Sequence, residues 1–167
     1  MDEAAAALTG AFIGASAGIA GGLLLEAYKR RRDRRGTASA LAGEIASILF
    51  MAERRRYVEF FTGILPQLNA GVDVPIAKFG PGGDYRDPVV DRFLDKIGLL
   101  SGDLPERIVR FYSILTGIRR DLERMANGEL NAAGKASVIA EDLAIWQEAV
   151  ALGNQLMADL RRVVRRW

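Results

Sequence analysis

Residues 135–167 read KASVIAEDLAIWQEAVALGNQLMADLRRVVRRW, and the spacing of their apolar side chains decides the fold. Ile139, Leu143, Trp146, Val150, Gly153, Met157, Leu160, Val164 and Trp167 recur at alternating intervals of three and four. That rhythm puts them on one face of an α-helix. Sustained over four heptads, it also suits a coiled-coil seam. Ile145, Leu152, Leu156 and Val163, however, widen the stripe beyond two positions per heptad. A broad apolar stripe needs neighbours on more than one side, so this segment is expected to be one helix of a bundle.

Two further segments carry the same rhythm. The first runs from about Thr37 to Leu68, with Leu41, Ile45, Ile48 and Ala52, then Val58, Phe61, Leu65 and Leu68 after an interruption at Arg54, Arg55 and Arg56. Pro66 is expected to loosen its last turn. The second holds Leu104, Ile108, Phe111, Leu115, Ile118, Leu122 and Met125 in one unbroken pattern. It opens with Asp103-Leu104-Pro105-Glu106, the arrangement of a capping box with proline in the first turn, and stops at Asn127-Gly128. Between these segments, residues 69–88 are dense in glycine and proline. A loop of that length inside a domain is usually either functional or disordered. A short helix, Val89 to Leu100, is expected to follow it, with Val90, Phe93, Ile97 and Leu100 on one side.

The N-terminal part differs in kind. From Ala4 to Leu25 there are 22 residues without a charge, a helix of about 33 Å, enough to cross a hydrocarbon core of about 30 Å. Lys29, Arg30, Arg31, Arg32, Arg34 and Arg35 follow at once, against Asp33 alone, whereas only Asp2 and Glu3 precede the run. The positive-inside rule then places the N-terminus outside and the rest of the chain in the cytoplasm. A secretory signal would carry its basic residues before the apolar run, so an uncleaved anchor is expected. At about 100° per residue, Leu8, Phe12, Ile19 and Leu23 share an arc of about 60°, and Gly10, Gly14, Gly18 and Gly21 share one of about 80° roughly opposite. Glycine costs about 1 kcal/mol relative to alanine in a helix in water. In lipid, helices associate through close van der Waals contact, which small residues permit. The glycine face is therefore the expected contact between copies of this helix.

Composition narrows the chemistry. The chain has 167 residues, no cysteine, no histidine and a net charge of +2. Disulfides and thiolate ligands are excluded, as are the commonest general base and the commonest zinc ligand. Residues 1–36 hold six basic and four acidic side chains, while residues 37–167 hold seventeen of each. The body thus lacks a basic excess to attract nucleic acid, and no such partner is expected. Ala133-Gly134-Lys135-Ala136-Ser137 resembles the end of a phosphate-binding loop, but Glu129 stands where the first glycine belongs and Ala136 where Ser or Thr belongs. Glu141 and Asp142 are neighbours in a helix, so they point about 100° apart and do not converge on a metal. Asp87, Asp91 and Asp95, with Arg92 and Lys96 alongside, read as a solvated face. No catalytic, cofactor or metal site is expected. At the C-terminus, Arg161, Arg162, Arg165 and Arg166 oppose Leu160, Val163, Val164 and Trp167. Such a basic amphipathic end suits either an anionic membrane surface or the last turn of a bundle helix, where the dipole favours cations.

The stretch FLDKIGLLSGDLPERIVRFYSIL, Phe93 to Leu115, resembles one found in small single-span bacterial inner-membrane proteins of unknown function. The similar residues are Asp95, Ile97, Gly98, Leu100, Val109, Phe111 and Tyr112. The resemblance implies a bacterial inner-membrane location and brings no site residues with it. Taken together, the sequence predicts an all-α protein: an anchor over residues 1–28, a basic junction over 29–36, and a cytoplasmic bundle of three long helices and one short helix over 37–167. The function expected is that of a non-enzymatic single-pass protein that homo-oligomerises through its glycine face, as a pore or channel-like effector. The alternative is a membrane-tethered adaptor whose helical domain recruits a cytoplasmic protein.

Overall fold

The computed structural model describes residues 2–76 and 95–165, with side chains described from Gly21 onward. Among the described residues four long α-helices are present: α1 (Asp2–Arg54), α2 (Tyr57–Asn69), α3 (Leu104–Ala126) and α4 (Ala132–Arg165). No strand occurs among the described residues. The chain is thus all-helical, as the apolar spacing requires.

The spine is α4, whose 34 residues extend for about 51 Å. Its side-chain neighbours fix the directions of the others. Gly153 faces Leu49 and Ile45 of α1, and Ala136 lies beside Leu68 of α2, so α1 and then α2 run antiparallel to α4. Tyr112 of α3 donates a hydrogen bond to Glu44 at 2.7 Å, and Arg34 of α1 donates to Ser101 just before α3. Helix α3 therefore runs parallel to α1. It is tied to α4 by Arg107–Asp159 at 2.8 Å and Arg110–Glu148 at 2.5 Å. The result is a three-rod bundle: the second half of α1 continued by α2, then α3, then α4.

Two apolar clusters fill it. The first joins Ala38, Leu41 and Ile45 of α1, Ile97 and Leu100, Ile108 and Phe111 of α3, and Ala149, Leu156 and Leu160 of α4. The second joins Phe61, Ile64 and Leu68 of α2, Ile76, Met125 of α3, and Ala132, Ala136 and Ile139 of α4. Where α1, α3 and α4 meet most closely, the residue is Gly153. A Cβ there would stand 2.9 Å from the Phe111 ring and 3.1 Å from Leu49.

Several expectations are refined. Helix α1 passes through Gly36 without a break: a Cβ there would meet nothing within 4 Å, and Thr37, Ala38 and Leu41 are buried shortly after it. The break falls at Arg55–Arg56, within the interruption the sequence marks. Arg56 adopts φ 53° and ψ 42°, a left-handed conformation costing about 1 kcal/mol outside glycine. Asp103 precedes α3 without a side-chain capping bond, so the capping box does not form; its carboxylate lies 3.5 Å from Arg107 instead. Pro105 does occupy the first turn, and Gly128 supplies the positive φ of 74° beyond Asn127. On α4 the buried seam includes Ala149 and Leu156 where the heptad reading has Val150 and Met157, both half-buried. A helix is expected from Val89, but residues 89–94 lie outside the described part, as do residues 77–88 of the loop. Residues 95–97 form a helical turn.

Candidate functional site

Apolar side chains of α1 behave in two ways along its length. From Thr37 to Leu49 they alternate with polar ones, and Ala38, Leu41, Ala42 and Ile45 turn into the core shared with α4. From Gly21 to Arg32 every residue is exposed, and three adjacent leucines stand in the open. Leu23, Leu24 and Leu25 are 64%, 72% and 55% exposed, and Tyr28 is 65% exposed. Contiguous leucines go round a helix, so no single packing face can bury them. Among the described residues this stalk is unpacked, and a Cβ added at Gly21 or Gly22 would meet nothing within 4 Å. Exposed apolar surface of that density marks a contact surface for lipid or protein.

The basic junction follows. Lys29, Arg30, Arg31, Arg32 and Arg35 are exposed, and Arg30 pairs with Glu26 at 2.7 Å. Asp33 and Arg34 mark the point where α1 enters the body. They reach Lys96, at 3.9 Å, and Ser101 on the segment before α3. The end of α4 returns to the same end of the bundle. Arg161, Val164 and Arg165 line a groove of about 230 Å³ with Ser39, Ala42, Gly43 and Ala46 of α1. Arg161, Arg162 and Arg165 are exposed, and Arg162 is bonded to Asp159. The two basic clusters expected at a membrane surface therefore lie towards one end of the bundle, the groove lined by Arg161 and Arg165 beginning about one turn of α1 beyond Arg35. Gly10, Gly14 and Gly18 lie within α1, but their surroundings are outside the described part, as are Arg166 and Trp167.

The rejected phosphate-loop motif receives a structural explanation. Lys135 is buried at 3% exposure, with its ammonium 2.6 Å from Asp73 and 3.4 Å from the Val74 carbonyl. The Gly134 N–H donates to the Asn131 side chain at 2.8 Å, which caps α4. This ion pair fastens the segment after α2 to the start of α4. Among the described residues no group of three or more His, Cys, Asp or Glu side chains is placed to hold a metal ion.

One polar feature was not anticipated. Asp142 of α4 has its Oδ2 buried and, among the described residues, without a hydrogen-bond partner. Burial pushes its carboxyl up from 3.8 to about 7, and the nearby charges of Asp121 on α3 and Glu141 on its own helix push the same way. Each aspartate sits three residues after and four before an apolar stripe residue: Ile139 and Trp146 for Asp142, Ile118 and Met125 for Asp121. That spacing is the signal the sequence offered.

Among the described residues no helix is long and apolar enough to cross a membrane. Residues 4–20 of the expected span lie outside the side chains so described. The architecture defines a class, an all-helical bundle with a projecting N-terminal helix. No family model, characterised protein or solved structure matches the chain.

Proposed function

We propose that this chain is a non-enzymatic membrane protein of the bacterial inner membrane, anchored by the first half of α1 and assembled with copies of itself through the Gly10–Gly14–Gly18–Gly21 face. The carrying observation is the bare stalk, with Leu23, Leu24, Leu25 and Tyr28 exposed and the basic residues 29–35 directly after them. Twenty-two uncharged residues leading into that stalk suit a bilayer interior. The six basic side chains suit its cytoplasmic surface, with the bundle on the same side. Because α1 is one helix throughout, displacement of the span is transmitted directly to the bundle. A ring of such helices enclosing a pore is the effector form of this reading.

The test is the size of the assembly in lipid nanodiscs, by mass photometry. Gly14→Ile should reduce it, because a branched side chain holds the helix backbones apart, whereas Phe12→Ile on the opposite face should leave it unchanged. Equal effects of both changes would contradict a glycine interface. The adaptor alternative draws on Phe50 and Met51, which are 59% and 41% exposed on the outward side of α1. A monomer or dimer in nanodiscs favours the adaptor, and a closed ring of about five or more copies favours the pore.

A further inference from the structure

The two core clusters give way to each other at one level of the bundle. On α4 the first reaches Trp146 and the second begins at Leu143. On α3 the change lies between Leu115 and Leu122. On the third rod it lies between Leu49 and Tyr57, which spans the helix break at Arg55–Arg56. Asp142 and Asp121 occupy this level on the two unbroken helices. The seam of the apolar core therefore coincides with a backbone break on one rod and with two carboxylates on the others.

Around Asp142 the charges are one-sided. Asp121 faces it from α3, and Glu141 neighbours it on α4. Arg124 is engaged with Asp121 at 2.9 Å. The side chains that α2 turns into the core are Tyr57, Phe61, Ile64, Leu65 and Leu68. Of these only Tyr57 carries a polar group, a phenol that accepts a hydrogen bond from Arg55 at 2.9 Å, and at the break Arg56 donates to Glu59. Among the described residues no hydrogen-bond donor, basic or neutral, reaches its buried Oδ2.

We infer that Asp142 and Asp121 form a proton-responsive joint in the bundle. With Asp142 protonated, the two clusters close into one body. With both carboxylates charged, repulsion and the cost of a buried charge open the seam, and α2 moves relative to α1 about Arg56. The joint is independent of the membrane reading, since every group in it lies in the bundle. It gives the chain a means of sensing pH on the side where the bundle resides.

The chain has no cysteine, so two introduced cysteines take spin labels uniquely. Ser47→Cys on α1 and Thr62→Cys on α2 are both at exposed positions. Pulsed electron–electron spectroscopy on the full chain in detergent then reads the α1–α2 distance from about pH 5.5 to about pH 8.5. The distance distribution should be narrow at the acidic end and shifted and broader at the alkaline end, with a midpoint near pH 7. Asp142→Asn should keep the narrow distribution throughout, and Asp121→Asn should move the midpoint to lower pH by removing the like charge. A distribution that does not change with pH, or one that changes alike in Asp142→Asn, would overturn the joint.

Discussion

The two halves of α1 are built from similar residues and meet opposite fates. Residues 37–52 are rich in Ala, Ile and Leu, as residues 4–25 are, yet in the former Leu41 and Ile45 are wholly buried while Leu23 to Leu25 are bare. The difference lies in arrangement. Leu41, Ile45, Ile48 and Ala52 recur at intervals of three and four, with Glu44 and Ser47 between them, so one face meets α4. Three leucines in a row spread over about 200° of the helix, more than one packing face covers. Within one continuous helix, periodicity selects a protein neighbour and an unbroken apolar run selects a surrounding medium.

Changes in the packed half should therefore be felt most. Phe111 is wholly buried where α1, α3 and α4 meet, and Phe111→Ala should cost about 3–5 kcal/mol in thermal or denaturant unfolding. Gly153→Leu drives a side chain into the same junction, already within 2.9 Å at the Cβ. It should cost about 1–3 kcal/mol, net of the helix propensity it gains. A neutral Gly153→Leu would show that the rods are farther apart than the contacts with Phe111 and Leu49 require.

Asp142 sharpens the comparison by pH. Its folded pKa lies above its ordinary value of 3.8, at about 7. The folded state thus holds the proton more tightly, and this contribution to stability is fully present below about pH 4 and is lost as pH rises through 7. The group is partly solvated, so the loss should be about 1–2 kcal/mol, less than the shift alone would imply. Asp142→Asn should stabilise the bundle by that amount at about pH 8 and have little effect at about pH 4. Parallel unfolding curves at both pH values would show that Asp142 does not titrate differently in the folded chain. At the other extreme, Leu24→Ser on the stalk should change bundle unfolding by less than about 0.5 kcal/mol. A larger effect would mean that the stalk packs on the body.

How much of this was legible follows the physics of each feature. The stripe on α4, the stop at Asn127-Gly128 and the break at the three arginines are local patterns, and all are found. Most of the residues that carry the resemblance around Phe111, namely Ile97, Leu100, Phe111 and Tyr112, are buried core. The helix continues through Gly36 because one exposed glycine is too small a penalty to end a helix that packs immediately beyond it. The cap at Asn131 is a local contact three residues long, whereas at Asp103 the carboxylate lies near Arg107, which is itself held by Asp159 of α4, a partner that short-range spacing does not encode. Lys135 with Asp73, and Asp142 with Asp121, are pairings between distant parts of the chain. The sequence shows a charged residue on an apolar stripe but leaves its partner to the fold.

The central claim is that one helix passes from a lipid environment into a protein core, and depth-resolved spin labelling tests it most directly. Single labels at Leu24→Cys and Ser47→Cys, both exposed positions, are compared in liposomes for collision with oxygen, which concentrates in lipid, and with a water-soluble nickel chelate. The label at residue 24 should meet oxygen preferentially and be shielded from the chelate, while the label at residue 47 should show the reverse. If the label at residue 24 meets the chelate as readily as the one at residue 47, the stalk lies in water and the membrane account is contradicted.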